Sequence, residues 1–129
     1  MGGNVKELKD SDFDNVISDE KRLVIVEFYT NNCPSCVAIA PVYDKLSEEH
    51  ELDAVFTKMN VQTYQSIGMR YGIMGTPTFK FFCGGKPIGE LVGAIPATML
   101  RNSIKDFIRH RSECMGKSTR LVYEIDGYG

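Results

Sequence analysis

Cys33 and Cys36, in the run Asn31-Asn32-Cys33-Pro34-Ser35-Cys36, are the residues of this 129-residue chain best suited to chemistry. Two thiols three positions apart can exchange electrons with a disulfide: one sulfur attacks and the other closes an intramolecular bridge. The same spacing also serves as half of a tetrahedral thiolate–zinc site. Completing that site would call on Cys83 and Cys114 and on a C-terminal segment folded back over the domain. Without the fold-back two ligands are missing, so redox exchange is the favoured reading. Cys83 and Cys114 are then expected as ordinary thiols, with a disulfide between them the less favoured alternative.

The elements that must position this pair are legible on either side of it. Leu23 to Tyr29 is short, β-branched and apolar on both alternating faces, the pattern of a central strand covered on both sides. Asn31 and Asn32 break it. Pro34 lacks an N–H but has the φ of a first helical residue, so it starts a helix predicted to run to about His50. Cys33 falls at the N-cap and Cys36 one turn inside. There the Cys33 sulfur meets the free N–H groups of Ser35 and Cys36 and the positive end of the helix dipole, and both favour a thiolate. Cys33 is therefore the expected nucleophile, and Cys36, expected deeper and less exposed, the resolving thiol. Val37, Ile39, Ala40, Tyr43 and Leu46 are the expected buried positions, and Pro41 is expected to kink the helix. Glu27 interrupts the apolar strand, and a carboxylate there is costly unless it is neutral, paired or near the strand end.

Along the rest of the chain, Val5–Leu8 reads as a first strand. A helix is expected to start at Ser11, with Phe13, Val16 and Ile17 facing inward. Ala54–Val61 reads as a strand parallel to the first central one, reached by a right-handed crossover. Gln65–Tyr71 is a short helix ending at Gly72. Thr78–Phe82 and Ile88–Val92 form a hairpin around Gly84-Gly85-Lys86. Leu100, Ile104, Phe107 and Ile108 recur at helical spacing in a closing helix finished by Arg109, His110 and Arg111.

The order strand, Cys-x-x-Cys, helix, with Pro41 five residues after Cys36, resembles the thioredoxin family. Tyr71-Gly-Ile-Met-Gly-Thr-Pro77-Thr-Phe resembles that family's stretch ending in a cis-proline opposite the cysteines. Gly84-Gly85-Lys86 followed by Gly93 resembles its last hairpin. The match runs from about residue 5 to residue 110. It implies an α/β thioredoxin fold, a three-layer α/β/α sandwich with a central mixed sheet of four to five strands. It also implies a dithiol–disulfide oxidoreductase without a bound cofactor, because the electrons reside on sulfur. Its implied partners are disulfide-containing protein substrates and a thioredoxin-reductase-type electron donor. Glu27 stands where the family has a buried Asp and is implied to take the proton from Cys36, with Lys58 as its lysine partner. A cis Thr76-Pro77 bond would turn the Thr76 backbone toward an extended substrate, with Gly75, Gly93 and Ala94 permitting close approach.

Departures from the family pattern qualify the transfer. Asn32 replaces the family's tryptophan, and the chain has no Trp at all, so the contact surface beside the cysteines is more polar. Pro34-Ser35 replaces Gly-Pro and is closer to the Cys-Pro-x-Cys order of glutaredoxins. Asn32 and Pro34 are accordingly included with the substrate-contacting residues. Alternatives left open are a glutaredoxin-like, oxidant or isomerase activity, and a binding module whose thiols are incidental.

Bulk composition agrees with one globular domain. Hydrophobic residues make up 43% and charged residues 25%, which fits neither a disordered chain nor a membrane span. Fifteen basic against 17 acidic side chains, a formal charge of −2, argue against nucleic acid as a main partner. The N-terminal residues have no apolar signal-peptide core, and four cysteines without one fit a reducing compartment, so a cytoplasmic monomer is expected. Residues 1–111 are expected to form the thioredoxin-like domain and 112–129 an extension, strand-like at Leu121–Ile125 or flexible.

Overall fold

The computed structural model describes residues 3–19 and 21–111. Its elements run β1 (Lys6–Glu7), α1 (Asp10–Ile17), β2 (Leu23–Tyr29), α2 (Pro34–Glu49), β3 (Ala54–Asn60), α3 (Gln65–Arg70), β4 (Thr78–Cys83), β5 (Lys86–Val92) and α4 (Ala97–Arg109). The five strands lie in the order β1-β3-β2-β4-β5. β1, β3 and β2 are parallel, while β4 runs antiparallel to β2 and to β5. The mixed sheet and its helices match the expected α/β architecture.

β2 sits between β3 and β4 and is buried from Leu23 to Phe28. Its alternation divides the core. Leu23 and Ile25 pack with Ile39, Tyr43 and Leu46 of α2, Phe79 and Phe81 of β4, and Leu100 and Ile104 of α4. Val24, Val26 and Phe28 pack on the opposite face with Phe13 and Ile17 of α1 and Ile67 of α3. By the same period of two, Glu27 belongs with Leu23 and Ile25 on the α2 face.

Four local expectations need correction. The first strand is only Lys6–Glu7, and β5 starts at Lys86, before Ile88. The N-cap of α1 is Lys9, not Ser11: the Asp12 carboxylate accepts from the Lys9 N–H at 3.3 Å, so the acidic side chain anchors the first turn two residues earlier. Val37 is 74% exposed, because the inward stripe of α2 is Cys36, Ile39, Tyr43 and Leu46, and Val37 falls beside exposed Pro41 on the outer side. The α2 helix itself runs from Pro34 to Glu49 with Pro41 inside it, as the sequence predicts. The strand-like reading of Leu121–Ile125 lies outside the described residues.

Tyr43 ties α2 to the sheet. It is 1% exposed, and its hydroxyl donates to the carbonyls of Thr57 (2.7 Å) and Ile25 (3.2 Å) between β3 and β2. Its ring lies against Phe56 and Phe79. Tyr43→Phe keeps that packing and removes only the hydroxyl. It is expected to cost about 1–2 kcal/mol in urea unfolding; a change below about 0.5 kcal/mol would mean the hydroxyl adds nothing to the anchoring.

Candidate active site

The Leu23–Phe28 run ends at the sheet's rim, and the chain turns there through Asn31 and Asn32 into α2. Asn60 stitches the turn: its Nδ2 donates to Asn31 Oδ1 at 3.1 Å, and its Oδ1 accepts the N–H groups of Gln62 and Thr63. The Asn31 N–H in turn donates to Gln62 Oε1 at 3.0 Å. Asn32 has φ +55°, a left-handed conformation that asparagine tolerates better than bulkier residues do. The substitution that makes this rim polar thus also suits its backbone.

Cys33 is extended, with φ −116° and ψ 96°, and caps α2 as expected. Its carbonyl accepts the Val37 N–H at 3.1 Å, and its Sγ accepts the Cys36 N–H at 3.2 Å. Cys33 and Cys36 are joined in a disulfide with their Cα atoms 5.3 Å apart. Each is 8% exposed, so the expectation of a deeper Cys36 is not met in this oxidised form. The bridge holds both sulfurs at one level of the helix end, and what distinguishes them is contact with the N-cap rather than depth.

Opposite lies the start of β4. The Thr76-Pro77 peptide is cis and Pro77 is buried. The Gly93 N–H, on a residue with φ +90°, donates to Pro77 O at 2.7 Å, and Thr78 Oγ1 donates to Gly75 O at 2.6 Å. Thr76 Oγ1 donates to Cys33 Sγ at 3.5 Å, so Gly75, Thr76 and Pro77 are brought to the cysteines. A mainly apolar groove runs from there between α2 and the Gly93–Ala97 segment, lined by Ile39, Val42, Pro77, Ala94 and Ile95 among others. Asn32 and Pro34, flanking Cys33 in sequence, are exposed.

Glu27 is 4% exposed and stands in register between Lys58 of β3 and Phe79 of β4. Burial pushes its carboxyl up to about 7; the Lys58 charge opposes the rise, and Asp44 and Glu7 add to it. Lys58 is a register neighbour without being an ion-pair partner: among the described ion pairs none involves Glu27, and the Lys58 ammonium sits 5.6 Å from the centre of the Tyr29 ring. The Tyr29 hydroxyl donates to Glu7 Oε2 at 2.7 Å, and burial raises its pKa.

Sequence reasoning did not single out Thr30, Asn60 and Gln62, nor the side chain of Thr76. They reach the site through pairings across 29 to 46 positions, for which the sequence carries no local signal. Cys83 is engaged in a disulfide, which corrects the expectation of an ordinary thiol; Cys114 lies outside the described residues. Among the described residues no group of three or more His, Cys, Asp or Glu side chains converges as a metal site would require.

The thioredoxin family model matches residues 4–106. A thioredoxin of Chlorobaculum thiosulfatiphilum is 33% identical over 106 residues, covering 82% of this chain and 98% of that one. The rice protein disulfide isomerase-like 2-2 is 36% identical over 80 residues, 60% of this chain and 22% of that one. Among solved structures, thioredoxin F from spinach chloroplast superposes with a TM-score of 0.75 at 31% identity, covering 84% of this chain and 96% of that one. With the capped cysteine pair, the cis-proline and the sheet order in agreement, the chain belongs to the thioredoxin family and is a thiol–disulfide oxidoreductase.

Proposed function

We propose that the protein works as a disulfide reductase on protein substrates, with Cys33 as nucleophile, Cys36 as resolving thiol and Glu27 as the proton acceptor. The observation that carries this reading is the Cys36 N–H directed at Cys33 Sγ from the first turn of α2, where the helix dipole also favours an anion. The Cys33 thiolate attacks one sulfur of a substrate disulfide; that S–S bond breaks, and the departing sulfur leaves with the electron pair and takes up a proton. Cys36, giving its proton to Glu27, then attacks Cys33 Sγ and expels the second substrate sulfur as a thiolate, leaving the Cys33–Cys36 bridge. A thioredoxin-reductase-type dithiol donor returns two electrons and reopens it. The substrate main chain lies along Thr76 and Gly93, with its side chains over the apolar groove; Gly75 and Ala94 leave room for the approach. The setting is the reducing cytoplasm, with the protein a monomer in cellular electron transport and redox homeostasis.

A second direction, oxidant or isomerase, is favoured by the Thr76 hydroxyl on Cys33 Sγ, since stabilising the reduced sulfur makes a pair more oxidising. The similarity to the rice protein disulfide isomerase-like protein points the same way. Equilibration of the pair with graded glutathione buffers, read by alkylation mass shift, decides between them. The established thioredoxin value of about −270 mV is expected for a reductase, whereas a potential above about −200 mV would reassign the protein as an oxidant or isomerase.

Cys36→Ser is expected to accumulate a mixed disulfide between Cys33 and a model protein disulfide, visible on non-reducing gels and released by dithiothreitol. A Cys36→Ser protein that still turned over at the wild-type rate would remove Cys36 from the resolving role.

Glu27 carries a pH signature. With its carboxyl raised from 4.5 to about 7, the folded protein holds a proton that the unfolded chain has already released in between. Glu27 therefore contributes stability that is fully present below about pH 4.5 and lost as pH rises through 7, a difference of roughly 3 kcal/mol. Urea unfolding of the oxidised protein at pH 5 and pH 8 is expected to show this loss, and Glu27→Gln, neutral throughout, to lack it. The same variant is expected to slow closure of the mixed disulfide on the order of 100-fold. Parallel pH slopes for the two proteins would show that Glu27 does not titrate in this range.

A further inference from the structure

Two hydroxyls from adjoining chain segments form a line that ends on the reactive sulfur. Thr30 Oγ1 and Thr76 Oγ1 lie 3.1 Å apart, and Thr76 Oγ1 donates to Cys33 Sγ at 3.5 Å. A threonine hydroxyl has a single hydrogen. With the Thr76 hydrogen on the sulfur, the hydrogen between the two oxygens belongs to Thr30. The sheet dictates the meeting. β2 and β4 pair antiparallel with Phe28 opposite Thr78, and continuing that register by two residues in each chain sets Thr30 opposite Thr76. Both are β-branched and half-buried, which restricts the rotamers that carry their hydroxyls.

A disulfide sulfur is a weak acceptor, and a thiolate a far stronger one. When a dithiol donor reduces the bridge, two electrons break the S–S bond, one proton goes to Cys36, and Cys33 keeps the negative charge. The Thr76 hydroxyl is already in place to receive that charge, and the Thr30 hydrogen bond polarises it further. We propose that Thr30 and Thr76 form a hydroxyl relay that stabilises the Cys33 thiolate and makes the cysteine pair more oxidising. Thr76 touches the reacting sulfur, and Thr30 is a positioning residue that acts through it. The inference rests on the reading of Cys33 as the nucleophile.

The test uses the full chain carrying Cys36→Ser, so that Cys33 is the remaining thiol of the pair. Iodoacetamide alkylation at Cys33 is followed by peptide mass across pH 5 to 9, and the rate tracks the thiolate fraction. The parent is expected to react at pH 6 well above the rate of an unperturbed thiol. Thr76→Val is expected to lower that rate about threefold to tenfold, and Thr76→Ser to retain it. Thr30→Val is expected to give a smaller loss that disappears when Thr76 is already Val, because its effect passes through Thr76. In the dithiol protein, Thr76→Val is expected to move the equilibrium with glutathione toward the Cys33–Cys36 disulfide.

A folded Thr76→Val protein that alkylates like the parent overturns the relay, and so does a Thr30→Val loss that persists undiminished beside Thr76→Val. If Thr76→Val does not fold, Thr30→Val against Thr30→Ser carries the test, and equal rates for those two overturn the relay. A parent that reacts like an ordinary thiol overturns the nucleophile reading and the relay with it, whereas a reactive parent with insensitive threonines overturns the relay alone.

Discussion

The active site depends on one constraint of the sheet: β2 is flanked on one side by a strand running with it and on the other by a strand running against it. The parallel partner brings Lys58 level with Glu27, and the antiparallel partner brings the start of β4 beside the end of β2. In an all-parallel sheet the end of β2 would meet only the ends of other strands. Here it meets a beginning, and Thr76-Pro77 arrives against Cys33 from the far side of the molecule in sequence. Open α/β sheets place their sites outside the carboxyl ends of strands; the reversed β4 supplies this one with a second wall.

That constraint also explains why a carboxyl group is tolerated inside. Glu27 takes a position on β2 whose equivalents, Leu23 and Ile25, are wholly buried among Tyr43, Phe79 and Phe81. An ionised carboxylate there would lose its hydration, and the charge of neighbouring Lys58 offsets only part of that loss, so burial keeps the proton on up to about pH 7. The neighbouring core is well enough tied, through Tyr43 to two strands, to hold a group whose charge it does not welcome. The two ends of the site are thus electrostatically opposite. At Cys33 the helix terminus and backbone N–H favour negative charge, and at Glu27 the apolar sheet disfavours it. Groups whose surroundings pull them apart in this way are the usual acid–base assignments of an active site.

Much of this was legible because it is local. A β-branched run, two asparagines, a cysteine and a proline specify strand, break, cap and helix within a dozen residues, and the helix begins at Pro34 as its φ and missing N–H require. The cis-proline was readable through family resemblance, and the hairpin glycines through turn pattern as well. What failed was of two kinds. Val37 and the α1 cap were matters of placement along a helix: Val37 falls just off the inward stripe of α2, and the α1 cap lies two residues before Ser11. Thr30, Asn60 and Gln62 depend on partners far along the chain, and no window of sequence contains both members of such a pair.

The departures from the family pattern gain coherence when set on this frame. Replacing the tryptophan by Asn32 removes a large apolar surface, but the left-handed turn that carries Asn32 is held by Asn31, Asn60 and Gln62. On the other side, Ile39, Val42, Pro77 and Ile95 keep the groove apolar. Cys33 therefore lies between an amide-rich wall and an apolar one. On the proposed path along the Thr76 and Gly93 backbone, a substrate would bury a hydrophobic side chain on one side while its polar groups exchange water for amides on the other. Main-chain pairing is indifferent to side-chain identity, so under that proposal discrimination would fall to these two unlike walls.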